Sequence, residues 1–203
     1  MEIINKDLIK EENREKLKER YTNGMPYKHL VIDNFLNEEE ARKIFDALKE
    51  EKFEYKESDL FSLNQTDDLM HTKNNTLKKF YEFFSSKEFE EWVEKISGIK
   101  LKIGKIDMAG SLYKNGDYLL CHDDKLEGRK IAYVYYLSRD FKKEDGGTFV
   151  LFDSENGMPW IAREKHIPIW NSLLIFEVGD KSFHEVEEVL SDKKRYAIGG
   201  WLH

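Results

Sequence analysis

Six histidines stand at positions 29, 71, 122, 166, 184 and 203, and their spacing and company decide which can do chemistry. His122 lies in Leu119-Leu-Cys-His-Asp-Asp124, at the end of a run with strand character. Alternate side chains of an extended strand share a face. His122 and Asp124 are therefore expected to point one way, and Cys121 and Asp123 the other. A His-x-Asp pair on one side of a sheet supplies one nitrogen and one oxygen ligand. By itself it is also what any chance strand end can offer. A third ligand has to come from elsewhere, and His184 in Ser182-Phe-His-Glu-Val186 is the best placed, in another strand of the same β-rich half. Two imidazoles and one carboxylate with other positions open suit non-haem Fe(II) and its oxygen chemistry. Arg195 then opens an apolar run, Arg195-Tyr-Ala-Ile-Gly-Gly-Trp201. Buried without a partner it would be very costly. Its planar fork suits a bidentate carboxylate, whether that belongs to a ligand or to one of the chain's own acids.

The elements that must hold these residues divide the chain in two. Asn37 followed by Glu40 forms a capping-box pattern before the stripe Ala41, Ile44, Phe45, Leu48. A second stripe is Leu77, Phe80, Tyr81, Phe84. A third is Phe89, Trp92, Val93, Ile96, with Ser85 and Glu88 at its start and Gly98 at its end. These are core-facing helix surfaces. The segment Asp59 to Thr72 has neither period and is expected to be a loop or short hairpin. From residue 101 the texture changes to short β runs: 101–108, 109–114, 118–124, 130–138, 147–152, 166–169, 172–178, 183–189 and 195–202. Turn signals at Asn115-Gly116, Gly146-Gly147, Asn156-Gly157 and Gly179-Asp180 separate several of them. Such spacing predicts an α+β protein, a double-sheet β-barrel with helices packed on its outer face. Residues 1–203 are expected to be a single domain: a helical N-terminal extension over 1–25, mainly helical support over 26–100, and the barrel core over 101–203.

Composition narrows the function classes. The 203 residues are 40 % hydrophobic and 13 % aromatic, which supports a packed core despite 36 % charge. Forty acids against 33 bases leave a net charge of −7, so direct nucleic-acid binding is not expected and a demethylase of nucleic acids is disfavoured. One cysteine excludes a disulfide framework and a multi-thiolate zinc site. The longest apolar run, Ile131 to Leu137, is too short to cross a bilayer, and the first residues lack the apolar stretch of a signal peptide. A cytoplasmic protein without membrane attachment is expected.

The set His122-x-Asp124, His184, Arg195 and Gly200-Trp201 resembles the Fe(II)/2-oxoglutarate-dependent oxygenases of the prolyl-hydroxylase superfamily. Within it, Leu119 to Asp124 followed by Leu126-Glu-Gly-Arg-Lys-Ile-Ala132 is similar to the catalytic domain of the eukaryotic ribosomal prolyl 3-hydroxylases. Lys28 to Phe35, Ser58 to Phe61, Gln65 to Leu69, Ile169-Trp-Asn171 and Phe183 to Leu190 continue the likeness, which covers about residues 26 to 203.

The resemblance implies a double-stranded β-helix (jelly-roll) barrel and a dioxygenase using Fe(II), 2-oxoglutarate and O₂. Its implied substrate is a prolyl residue of a ribosomal protein in the small-subunit S12 family. It implies His122, Asp124 and His184 as iron ligands, Arg195 and Tyr136 on the distal carboxylate of 2-oxoglutarate, and Tyr113 lining the site near that cosubstrate. Asn64, Gln65 and Asp67 are candidates for peptide contacts. The eukaryotic enzymes carry a second barrel domain after the catalytic one. This sequence stops at His203, so that domain is expected to be absent. The same chemistry on another protein or a free amino acid, and a non-catalytic 2-oxoglutarate-binding module, remain as alternatives.

Overall fold

The computed structural model describes residues 3–203; Met1 and Glu2, part of the expected N-terminal extension, lie outside the described residues. The elements run, in order, α1 (Glu11–Thr22), β1 (His29–Ile32), α2 (Glu38–Glu50), β2 (Glu54–Ser58), β3 (Phe61–Asp68), α3 (Asn75–Phe84) and α4 (Lys87–Ser97). There follow β4 (Ile106–Tyr113), β5 (Tyr118–His122), β6 (Ile131–Tyr136), β7 (Phe149–Glu155), β8 (Met158–His166), β9 (Ser172–Glu177), β10 (His184–Val186) and β11 (Arg195–Leu202). The strands form one antiparallel sheet in the order β1-β9-β6-β11-β4-β3-β5-β10-β7-β8, with β2 paired outside the path to β3. The sheet curls on itself as a jelly roll.

Strand alternation explains how the apolar sequence is spent. On β6, Tyr133 and Tyr135 face the helices, where Phe35, Phe80, Phe84 and Phe89 cover them, while Ala132 and Tyr136 face the barrel interior. On β9, Leu173 and Ile175 join the helical side, and Leu174 and Phe176 the interior. A strand buried on both faces has to be apolar at every position, which is why Ile131 to Leu137 is an unbroken run. Phe84 touches Phe89 and Tyr133 at ring separations of 4.4 and 4.9 Å. Truncating such a residue to Ala would cost about 3–5 kcal/mol.

The helices start where short polar residues can cap them. Asn74 accepts from the backbone of Thr76 and Leu77 at the start of α3. Ser86, rather than Ser85, caps α4 by accepting from Phe89 N at 3.2 Å; Ser85 instead closes α3. Gly98 ends α4 with φ +74°, a conformation that costs glycine little.

Several expected boundaries shift. The runs 101–108 and 109–114 merge into one strand, β4, that begins only at Ile106, and of 166–169 only His166 is strand, as the last residue of β8, which the sequence patterning did not reveal. Asn156 and Gly157 both take positive φ, as a two-residue hairpin turn between β7 and β8 requires. The segment 26–100 carries the expected helices but also sends β1, β2 and β3 into the sheet. Among the described residues no helix is long and apolar enough to cross a membrane.

Candidate active site

His122 ends β5 and His184 begins β10, and the two face each other directly in the ladder. Their rings lie 4.2 Å apart, and His184 is stacked on Phe149 and set edge-on to Phe176. Asp124 joins them. Its Oδ1 is 3.3 Å from His122 Nε2 and its Oδ2 is 3.3 Å from His184 Nε2. Strand alternation does not put it there, because β5 stops at His122 and Asp124 has φ +60°. A left-handed residue, which aspartate tolerates better than most, turns the carboxylate back onto the histidine face. The expected grouping is thus present by a different backbone route.

Each imidazole is oriented from behind. His122 Nδ1 lies 2.8 Å from the Leu120 carbonyl and His184 Nδ1 lies 2.7 Å from that of Ser182. With Nδ1 held by a carbonyl, each ring turns its Nε2 toward Asp124, the arrangement typical of metal-bound histidines. Burial disfavours the charged forms of all three groups, and their mutual contacts decide the outcome. For Asp124 the hydrogen bonds and charges of the two histidines overcome burial and hold the carboxyl well below the usual carboxylate range. Burial, helped by neighbouring His122, lowers His184. Burial also acts to lower His122, but its contact with Asp124 prevails and raises it. A carboxylate facing two inward-turned nitrogen atoms calls for a cation between them. Cys121 is half-buried and its thiol is pushed up to about 11, mainly by burial, which keeps it protonated and outside this chemistry.

The triad opens into a cavity of about 540 Å³ that also contains Arg195, Tyr113 and Trp201 in its lining. Arg195 is 1 % exposed. Its Nε donates to Gly147 O at 2.8 Å, and its guanidinium lies 4.9 Å from the Tyr113 ring and 5.3 Å from that of Tyr136. Among the described residues Arg195 has no acidic partner, and Nη2 has no hydrogen-bond partner at all. The possibility of an internal ion pair, open from sequence alone, is therefore not realised. Tyr136 OH is buried and likewise unpartnered. Its strand neighbours are not: Tyr133 OH donates to Asp107 O and Tyr135 OH to Asn171 Oδ1, each at 2.9 Å. Burial raises the Tyr136 phenol and pushes that of Tyr113 up to about 12, against the pull of Arg195 on both. Both stay neutral and able to donate. Gly147 has φ +63°, and a Cβ there would come within 3.0 Å of Arg195 Cδ, so glycine keeps the guanidinium in place.

The three residues of the 59–72 segment part company. That segment is the end of a hairpin whose inner strand, β3, lies between β4 and β5 in the sheet. Gln65 and Asp67 line the cavity beside Leu63. Asn64 is buried on the other face, its side chain donating to Asp117 Oδ2 at 3.4 Å and accepting from Lys114 Nζ at 3.2 Å. As a substrate contact Asn64 is therefore corrected: one step along a strand changes the face. Sequence reasoning passed over Arg129, which stacks 3.3 Å over the Trp201 ring and has Nη1 3.3 Å from the Asp124 carbonyl. Its place in the Leu126 to Ala132 stretch was the available signal.

A curled antiparallel barrel that converges two imidazoles and a carboxylate on a cavity holding an unpaired buried guanidinium has the build of a non-haem iron oxygenase. Residues 108–203 match the model of the 2OG-Fe(II) oxygenase superfamily. It is 37 % identical over 186 residues to Prolyl 3-hydroxylase OGFOD1 of Xenopus laevis, a match covering 89 % of this chain and 35 % of that protein. Prolyl 3,4-dihydroxylase OGFOD1 of Ostreococcus tauri is 34 % identical over 195 residues, covering 88 % of this chain and 38 % of the relative. The chain thus spans about a third of the length of these curated relatives. Among solved structures, a Pseudomonas putida prolyl-4-hydroxylase superposes with TM-score 0.72 at 15 % identity, covering 92 % of this chain and 98 % of that one. A Trichoplax adhaerens prolyl hydroxylase gives 0.73 at 17 % identity, covering 94 % and 90 %. At these identities the structural likeness speaks for the fold.

Proposed function

We propose that the chain is an Fe(II)- and 2-oxoglutarate-dependent dioxygenase that hydroxylates a prolyl residue, in a ribosomal protein of the small-subunit S12 family. The observation that carries the reading is a pair of buried, unpartnered donors: Arg195 Nη2, whose side chain lines the same cavity as the triad, and the OH of Tyr136, whose ring lies 5.3 Å from that guanidinium. An unsatisfied buried donor costs about 1–3 kcal/mol, more when charged. Two such donors side by side call for an anionic acceptor. With Fe(II), 2-oxoglutarate and O₂ bound, the family's chemistry couples decarboxylation of the cosubstrate to hydroxylation of a substrate C–H bond. His122, Asp124 and His184 would hold the metal and leave the remaining positions open. Arg195 would clamp the distal carboxylate of the cosubstrate, Tyr136 would donate to it, and Tyr113 would wall the site beside them. Phe149 and Phe176 exclude water from around His184.

Gln65 and Asp67 would meet the peptide, and the net charge of −7 would favour approach of a basic ribosomal protein. On this reading residues 1–203 act as one oxygenase domain, working in the cytoplasm. The likeness to prolyl 3-hydroxylases supports the prolyl substrate. The test is mass spectrometry of an S12-derived peptide incubated with the chain, Fe(II), 2-oxoglutarate and O₂. Gain of one oxygen on proline is the expected result. Turnover of free proline with the peptide untouched would move the reading to a free amino acid. Absence of any 2-oxoglutarate turnover in the metal-loaded protein would leave a non-catalytic binding module.

A further inference from the structure

β1 and β8 are the two ends of the strand order, so the curled sheet has a seam where its free edges approach. At one corner of that seam stand His29, the first residue of β1, and Glu164 and His166, near the end of β8. Glu164 and His166 are two residues apart on a strand and share a face. His29 Nε2 lies 3.1 Å from Glu164 Oε2, and His166 Nε2 lies 3.5 Å from Glu164 Oε1. One ligand atom from each of the three residues can be chosen so that all lie within 4.8 Å of one another. Nitrogen and oxygen ligands about 2.0–2.2 Å from a tetrahedral zinc are roughly 3.3 Å apart, so small side-chain shifts would close the set.

Three details separate this cluster from an ordinary surface ion pair. The His29 side chain is only 6 % exposed, and its Nδ1 lies 2.9 Å from the Tyr27 carbonyl, which turns Nε2 toward Glu164. A Cβ on Gly24 would come within 2.8 Å of that Nδ1, so the chain is wrapped closely around the ring. His166 Nε2 is buried and has no hydrogen-bond partner, 3.5 Å being too long for a good hydrogen bond to Glu164. The cluster lies in a separate cavity, shared with Glu19 and Asn23 at the end of α1, and has no residue in common with the catalytic triad.

We propose that His29, Glu164 and His166 form a second divalent-metal site, of the zinc-binding kind, that staples the two free edges of the barrel sheet. Two imidazoles and one carboxylate with no thiolate suit a borderline first-row ion, and a water can fill the remaining position. The site's role is structural: it ties β1 to β8, which share no backbone hydrogen bonds in the sheet order. An ion bound at the seam of the folded barrel raises the melting temperature by mass action.

The test removes the triad and keeps the seam. Full-length chain carrying His122→Ala and Asp124→Ala, stripped by a chelator, is titrated with Co²⁺ alone and with Zn²⁺ alone. One equivalent of Co²⁺ with visible ligand-field bands, and a Tm that rises with Zn²⁺, are expected. Adding Glu164→Gln should weaken Co²⁺ binding at least tenfold and abolish the Zn²⁺-dependent rise. Glu164 is 43 % exposed, so this change does not threaten the fold, and His166→Asn provides a second variant with the same expectation. In the otherwise native chain, Glu164→Gln should lower the bound metal from two equivalents to one while 2-oxoglutarate turnover persists. A folded triad-free protein with no Co²⁺ bands and no rise in Tm would overturn the site. So would a second equivalent that survives both variants unchanged.

Discussion

Tyr136→Phe separates a ligand-holding hydroxyl from a packing residue, because the two roles predict opposite signs. The Tyr136 OH is fully buried and has no partner among the described residues. In the unliganded protein it is an unsatisfied polar group, and removing it should stabilise the fold by about 1 kcal/mol. For a domain of this size that is roughly 2–4 °C in Tm. On the proposed reading the same hydroxyl donates to the cosubstrate's carboxylate once that is bound. Losing that bond should cost about 1–2 kcal/mol of 2-oxoglutarate binding, roughly a five- to thirtyfold rise in Kd. The variant is thus expected to be more stable and to bind its cosubstrate more weakly. Thermal denaturation of the metal-free protein and titration of 2-oxoglutarate into the metal-loaded protein measure the two halves separately. Tyr135→Phe is the control. Its hydroxyl donates to Asn171, so it should lose stability and leave cosubstrate binding alone. A Tyr136→Phe protein that is destabilised, with unchanged 2-oxoglutarate affinity, would refute the assignment.

Arg195→Lys keeps the charge but loses both the fork and the bond to Gly147 O, so the KM for 2-oxoglutarate should rise at least tenfold; an unchanged KM would make the arginine structural. Asp124→Asn preserves a residue type suited to φ +60° yet removes the charge, so turnover should vanish in a folded protein; Asp123→Asn, whose native carboxylate accepts from Lys125 N, should stay active. Replacing Gln65 and Asp67 by Ala should raise the peptide KM without changing uncoupled 2-oxoglutarate decarboxylation, whereas Asn64→Ala should lower Tm through its lost bonds to Asp117 and Lys114. Burial pushes the Glu90 carboxyl up to about 7 from an ordinary 4.5, against the pull of the Gly104 N–H. The native state therefore holds this proton more tightly than the unfolded chain. Stability is full below about pH 4.5 and falls as pH rises toward about 7. Glu90→Gln should remove that slope and gain on the order of 1–3 kcal/mol at about pH 8; equal gaps between variant and wild type at pH 5 and pH 8, by urea unfolding, would contradict it.

What the sequence reveals of this protein depends on how local each signal is. The grouping of His122, Asp124 and His184 was legible because two of the three sit in one tripeptide and the third in another strand of the same β-rich half. Even there the reason was only half visible: the carboxylate faces the histidines through a left-handed turn, which no alternation rule predicts. β3 was illegible as a strand because both of its faces meet polar groups. Asn64 and Ser62 face Asp117, while Gln65 and Asp67 face the cavity, so no apolar period marks it. β8 hid for a related reason, as an end strand that leaves Trp160 and Ile161 exposed among charges. The seam cluster is the extreme case. Only the curling of the whole sheet brings His29 to His166, and nothing in either neighbourhood announces the other.

The three tyrosines of β6 show why a functional site can be told from a core once partners are counted. Residue type, burial and strand are the same for Tyr133, Tyr135 and Tyr136. The fold provides an acceptor for the first two hydroxyls and none for the third. A buried hydroxyl without a partner is a standing cost, and so is the neighbouring Nη2 of Arg195. A protein that bound nothing in this cavity would be more stable with Phe at 136 and an uncharged side chain at 195. Both costs fall at one place, for the Tyr136 ring lies 5.3 Å from the Arg195 guanidinium, which shares its cavity with a carboxylate and two imidazoles. The positive and negative halves of an unfinished electrostatic arrangement therefore share one cavity, which a divalent metal and a dicarboxylate would complete together.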